Sequence, residues 1–505
     1  MEKRLILAIA ISMLVLFAWS AILPKPVPGK TVVAPTQTAT EPVSLGQESK
    51  TIDFSQKEQT PLAEFKYSNK NLDLNFIEPI ATLNDAIFKD YQSHKFLLKT
   101  GLLLGGNDFV FHREVAQPGK VSFSYQDKDK KIIKEFIFSK NVYCIDLNII
   151  ILNLSNLPLT YNFPLNIGKL DFSGDQNEAR FRDVMFATKE KNLFLNARKD
   201  VTQGNIKFIG IRDKYFAFIV QSENESTASV KKINAQESQV ELYPKDVVIA
   251  PGNQYLAKFH IYLGPQDLKQ INAVRPEWAS IVNYGTFDFI GQIVLQLLEF
   301  FHRLVRNWGL AIILLSLGIY LLLYPFTLKQ MRSMKEMQAL QPRVEELRRS
   351  HKDNPQKLNK EILELYREHK VNPIGGCLPL ILQMPVFFAL YQVMIRCVAL
   401  KGAKFLWIKD LSEPDKLFLL PVNLPVLGNE FNLLPLLMTG LMFIQQKASL
   451  VSSGSASEEQ QKIMMIVMPI MFGVIFYRMP SGLVLYWFVN SLLMLIYQLK
   501  IKSAK

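Results

Sequence analysis

Five apolar runs, residues 310–324, 378–396, 431–446, 463–477 and 483–499, alternate with charged loops in the C-terminal part of this 505-residue chain. Runs of this kind suit helices in lipid, where every backbone polar group must be satisfied within the segment. The second run is entered through VNPIGGCLPLILQMPVFFALY, residues 371–391. Gly375 and Gly376 free the backbone at the water boundary, and Pro379 sits where a first-turn proline costs no hydrogen bond. Pro385 removes a bond inside the run and is expected to bend the helix near Ile381. A plain anchor needs none of these hinge residues.

Hydrophobic residues make up 49% of the chain but are unevenly spread, so that residues 24–275 read as a water-soluble part. The net charge of +13 comes largely from loops flanking the apolar runs. That placement favours membrane topology and lipid headgroups over recognition of a nucleic-acid sequence. Of the three cysteines only Cys144 lies in the soluble part, which therefore has no internal disulfide. Cys377 and Cys397 would stand about 30 Å apart on a continuous helix, too far to bridge.

Composition divides the chain further. Lys3 and Arg4 precede an apolar run with no small-x-small cleavage site after it, so residues 1–23 are expected to be an uncleaved transmembrane anchor. Residues 24–60, with Pro24, Pro26, Pro28, Pro35 and Pro42, read as a flexible tether. Over 61–275 short alternating segments such as Val121, Phe123 and Tyr125, separated by polar turns, predict an antiparallel β-sandwich. Within 276–307, Ile290, Ile293, Val294, Leu297, Leu298, Phe301 and Leu304 recur at helical spacing beside Gln292, Glu299 and Arg303. This predicts an amphipathic helix, lying on the membrane or packed on the sandwich. Residues 308–505 form the helical core.

With the N-terminus inside and the sandwich outside, the basic loop 329–370, the loop around Lys447 and Lys462, and the tail with Lys500, Lys502 and Lys505 all fall in the cytoplasm. The first loop predicts a helical hairpin: Met334, Met337, Leu340, Val344 and Leu347 mark one arm, and Leu358, Ile362 and Leu365 the other, capped at Asn354-Pro355. No phosphate-binding glycine loop, nucleophile elbow or metal-binding spacing is present in the sequence. The expectation is a protein without catalytic residues, metal or cofactor.

Asn307-Trp308-Gly309, YPFTLKQMRSM from Tyr324, Leu340-Gln341-Pro342, VNPIGGCLPLILQMP from Val371, QQKIMMIVMP from Gln460 and PSGLVLYWFVNS from Pro480 together resemble the YidC membrane protein insertases, in their Gram-negative form. The resemblance implies a multi-pass α-helical membrane protein of about six transmembrane helices with an all-β periplasmic supersandwich, similar to galactose mutarotases. It implies residence in the inner membrane with both termini cytoplasmic. It also implies a polar groove among five core helices, open to cytoplasm and lipid, which receives nascent membrane proteins alone or beside the Sec translocon. Ribosome and membrane lipids are the further implied partners, and hairpin 329–370 is implied in receiving incoming chains.

Polar residues able to line such a groove are Ser316, Tyr320, Gln383, Gln392, Thr439, Gln445, Gln446, Asn490 and Ser491. Met384, Phe387 and Phe388 with Met468, Met471 and Phe472 would form an apolar wall guiding a substrate helix toward lipid. Tyr320 stands where the family usually carries a groove arginine, and Arg396 and Arg478 lie near span ends instead. The stretch between Lys462 and Arg478 covers only about 22 Å as a helix, against a roughly 30 Å hydrocarbon core, a mismatch met either by local thinning of the bilayer or by snorkelling of the flanking residues. A secondary transporter or channel is the alternative reading, and a sandwich receptor merely anchored by its helices is a third. Paired repeats and midplane ionisable groups, the usual transporter marks, are missing from the sequence.

Overall fold

A computed structural model describes residues 63–105, 109–114, 117, 119–139, 143–173, 176–195, 197–351, 354–369, 371, 378–424, 428–450 and 458–503. The expected anchor 1–23, the tether 24–60 and the hinge glycines Gly375 and Gly376 lie outside these residues.

Alternation builds the N-terminal part. In the strand Cys144–Asn153 every second side chain is buried, with Ile145, Leu147, Ile149 and Ile151 on the core face. That strand pairs antiparallel with Lys130–Phe138 on one side and Gln254–Pro265 on the other. Together they form the middle of a nine-stranded antiparallel sheet. Two smaller sheets, and a two-stranded pair of Leu159–Tyr161 with Val247–Ile249, complete the sandwich among the described residues. One has four strands, Glu64–Ser68, Leu72–Ile77, Thr82–Phe88 and His94–Gly101. The other has five and centres on Glu237–Pro244 between Ser226–Lys232 and Leu165–Asp171. Phe76 meets Phe123 and Phe136 across the core, and Phe88 stacks on Phe216 at 3.9 Å.

The strand Phe216–Ser222 departs from alternation, because residues 216–220 are all buried. Its outer side is roofed by the segment Pro276–Ile281, whose Trp278 packs 6.3 Å from Tyr262. The roof approaches so closely that a Cβ on Gly210 would lie 2.4 Å from Ile281.

The helices are α1 (Gln176–Ala179), α2 (Leu268–Val274), α3 (Asp288–Val305), α4 (Trp308–Ala339), α5 (Gln341–Ser350), α6 (Pro355–Glu368), α7 (Leu378–Arg396), α8 (Leu433–Leu450), α9 (Glu458–Phe476) and α10 (Ser481–Ser503). α10 packs against α4 and α8, α9 against α8, and α3 against α4 and α7. Pro379 and Pro385 both fall within α7.

The hairpin differs from expectation in one respect. Its first arm is not a separate helix at 334–347. α4 runs unbroken to Ala339, and the helix is interrupted at Leu340, two residues before Pro342 in the first turn of α5. Pro342 cannot supply the backbone N–H that would continue the helix. The second arm starts as capping chemistry dictates, with the Asn354 side chain accepting from the Lys357 N–H at 3.0 Å. Leu340, Val344, Tyr366 and Val371 close a small core of their own.

Candidate functional site

In α4 Leu310, Leu317, Leu321, Leu322 and Phe326 are exposed, while Ile312, Leu315 and Ile319 are buried along with Ser316 and Thr327. The pattern recurs in α10, where Leu492, Ile496 and Leu499 are exposed, and Leu483, Val484, Leu485 and Leu495 are buried with Ser481, Tyr486 and Ser491. α9 exposes Ile466, Ile470, Val474 and Ile475. On α3 the exposed residues Phe289, Ile293, Leu297, Phe300 and Leu304 form a stripe at helical spacing opposite buried Val294, Leu295 and Leu298. The apolar residues expected on a single face are thus divided between two, one packed on α4 and α7, the other open. Among the described residues α4 and α10 contain stretches, Trp308–Lys329 and Ser481–Lys500, long and apolar enough to cross a membrane, and Ile466–Phe476 is a shorter apolar helix.

The polar residues anticipated for the groove do not all end in one place. The Ser316 hydroxyl is fully buried and donates to the Ile312 carbonyl at 2.7 Å, within its own helix. The Thr439 hydroxyl likewise donates to the Pro435 carbonyl at 2.8 Å. It faces α9 where only Gly473 makes room, since a Cβ there would lie 2.4 Å from it. Gln392 accepts from Arg396 at 3.3 Å. Gln383 donates across helices to the buried Tyr486 hydroxyl. Tyr320 is half-buried with its ring 6.2 Å from Tyr324, which in turn meets Tyr497 at 5.6 Å. Gln445, Gln446 and Asn490 are half-buried and Ser491 is buried.

The apolar wall is more coherent. Phe387 lies 5.9 Å from Phe476 and 5.5 Å from Trp487, and Phe472 lies 5.8 Å from Trp487, so α7, α9 and α10 share one aromatic cluster. Phe388 turns away toward Phe287 at 6.2 Å. Met384 is exposed, and Met468 and Met471 are half-buried. Sequence reading passed over Tyr486, Trp487, Tyr324 and Tyr497. Aromatic residues in apolar helices give no local sign of which ring will meet which polar group.

An antiparallel sandwich joined to long helices that are apolar on their exposed faces as well as in their packed interior defines a membrane-integrated protein with a large β-rich domain. Family models for the YidC periplasmic domain and the 60Kd inner membrane protein match residues 87–297 and 300–505. The membrane protein insertase YidC of Syntrophobacter fumaroxidans is 32% identical, with 98% of either chain covered. That of Geotalea uraniireducens is 30% identical over 100% of this chain and 99% of its own. A crystal structure described as an active YidC insertase with the first transmembrane domain resolved covers 98% of this chain and 99% of its own at 19% identity, with a TM-score of 0.41. The chain belongs to the YidC family of membrane protein insertases, inner-membrane proteins with a periplasmic domain. Family members act as insertases and chaperones, not as enzymes.

Proposed function

We propose that this chain inserts nascent membrane proteins into the inner membrane and assists their folding, with the sandwich in the periplasm and both termini in the cytoplasm. The observation that carries this reading is the apolar outer surface of the helices: Leu321, Leu322, Ile470 and Ile496 face outward, while Ser316, Ser491 and Tyr486 sit among the aliphatic side chains of the interior. A nascent segment crossing hydrocarbon leaves backbone groups unsatisfied at several kcal/mol each. Amides and hydroxyls such as Gln383, Tyr320, Gln445, Gln446 and Asn490 can exchange hydrogen bonds with such a segment without holding it tightly. The Phe387, Phe472 and Trp487 cluster then offers the emerging helix an apolar surface toward lipid.

The finer reading comprises an anchor at 1–23, a tether at 24–60, five core spans in 308–505, an interfacial helix in 276–307 and a bilayer thinned around α9. The ribosome and the Sec translocon are its proposed partners, with hairpin 329–370 receiving the incoming chain.

Reconstitution of the purified protein in vesicles with a short-tailed nascent membrane protein tests this reading. The tail should gain protease protection only when the insertase is present. Equal protection in protein-free vesicles refutes it. Tyr320→Phe and Tyr320→Arg belong in the same assay, and unchanged insertion of every substrate by both removes the hydrogen-bond role of Tyr320.

A further inference from the structure

The segment between α1 and the strand Asp183–Thr188, the turns after α7 and the link between α9 and α10 enclose a cavity of about 530 Å³. Its carboxylates are largely committed: Asp213 to His94 at 2.9 Å, Glu413 to Lys214 at 2.9 Å and Glu430 to Lys416 at 3.1 Å, with Glu178 at an exposed position. Four lining cations, Arg180, Arg182, Lys401 and Arg478, have no carboxylate within ion-pair distance among the described residues. Lys401 donates only to His94 Nδ1, at 3.2 Å, and lies over the Tyr215 ring. Arg182 donates to the Asp171 backbone carbonyl. Arg180 rests on the ring of Phe181. Behind that ring Arg396 adds a further charge, with its Nη1 buried and without a hydrogen-bond partner.

Charges gathered in this way repel one another unless an anion joins them, and guanidinium groups match phosphate oxygens in paired hydrogen bonds. The apolar part of the lining comes from Tyr391 and Ile395 of α7 and from Met479 and Pro480 before α10. On the reading of α7 and α9 as membrane spans, this is the height at which outer-leaflet headgroups end. We infer that the cavity holds the phosphate headgroup of an anionic phospholipid, which ties the sandwich to the outer ends of the helices.

The test uses the full chain, purified in detergent after exposure to vesicles of phosphatidylcholine alone or mixed with phosphatidylglycerol, with retained lipid read by native mass spectrometry. The parent protein and Lys128→Gln, an exposed position on a distant sandwich turn, should each keep a phosphatidylglycerol. The Arg180→Gln/Arg478→Gln double variant should bind it about tenfold more weakly. Both arginines are exposed, so the fold should survive; Arg478→Glu alone supplies a second reading of the same loss. Equal retention by all variants overturns the inference. Displacement of the lipid by inorganic phosphate would make this a free-anion site, and displacement by a soluble glutamate-rich peptide a docking site for translocated chain; either result also overturns it. Vesicle insertion by the same preparations separates the two readings. Insertion without lipid retention sinks only the lipid site, and retention without insertion sinks only the insertase reading.

Discussion

Leu157 on the sandwich and Leu322 in α4 are each 73% exposed, yet they face different solvents. Around Leu157 the rule is that of a water-soluble protein. Ile149, Phe216 and Phe218 are buried, and the charged Arg212 enters the interior held by Asp183 and the Ile281 carbonyl. Around Leu322 aliphatic side chains lie outside as well as inside, where Ile312, Leu315 and Ile319 are buried together with Ser316. Exposure alone therefore cannot say whether a side chain is satisfied; the identity of the solvent decides.

The largest expected effect lies in the sandwich. Phe216 is fully buried between Phe88 and His94, and Phe216→Ala should cost about 3–5 kcal/mol, seen as a loss of protease resistance in residues 64–265. A loss confined to the helices would contradict this account of the packing. The paired leucines come next. Leu157→Asp should change stability by no more than about 0.5 kcal/mol. Leu322→Asp, at equal exposure, should cost about 2.5–3.5 kcal/mol in a helix-insertion assay. Equal tolerance of both substitutions would remove the distinction between the two surfaces.

A smaller effect concerns the fully buried Lys134, whose ammonium donates to the carbonyls of Ala81 at 2.5 Å and Leu102 at 2.6 Å. Both residues have left-handed backbone, with φ of 48° and 62°, so the lysine ties two turns together. Burial pushes its pKa from 10.5 down to about 7. Between those values the unfolded chain holds a proton that the folded chain releases, so stability should rise with pH, by at most about 1.4 kcal/mol per unit. Lys134→Met should flatten that rise in thermal melts taken across the window. An unchanged slope in the variant would assign the pH dependence to another group.

What could be read from the sequence was what neighbours along the chain decide. Alternation in CIDLNIIILN gave the strand, Asn354-Pro355 gave the start of α6, and outward-facing leucines followed from the apolar runs. Contacts distant in sequence stayed hidden. Nothing near Gln383 announces Tyr486, and the cavity joins residues from His94 to Pro480. The inward hydroxyls were legible as polar groups in apolar runs. That Ser316 and Thr439 bond to their own helices depends on backbone geometry, which composition does not carry.

Among the described residues the two regions meet at few polar contacts, and there the smallest effects are expected. The Tyr215 hydroxyl, on a sandwich turn, pairs with Ser412 at 2.9 Å in a buried position, and the neighbouring Lys214 pairs with the half-exposed Glu413. Tyr215→Phe keeps the ring under Lys401 and loses one hydrogen bond, a cost of about 1 kcal/mol that should not depend on salt. Lys214→Gln removes a partly solvated ion pair, worth about 0.2–1 kcal/mol, and its effect should fade as salt is added. Hydrogen exchange in the 401–417 loop reads both. If Lys214→Gln loosened that loop more than Tyr215→Phe at high salt, the sandwich would be held to the helices by charge and not by the buried hydroxyl pair.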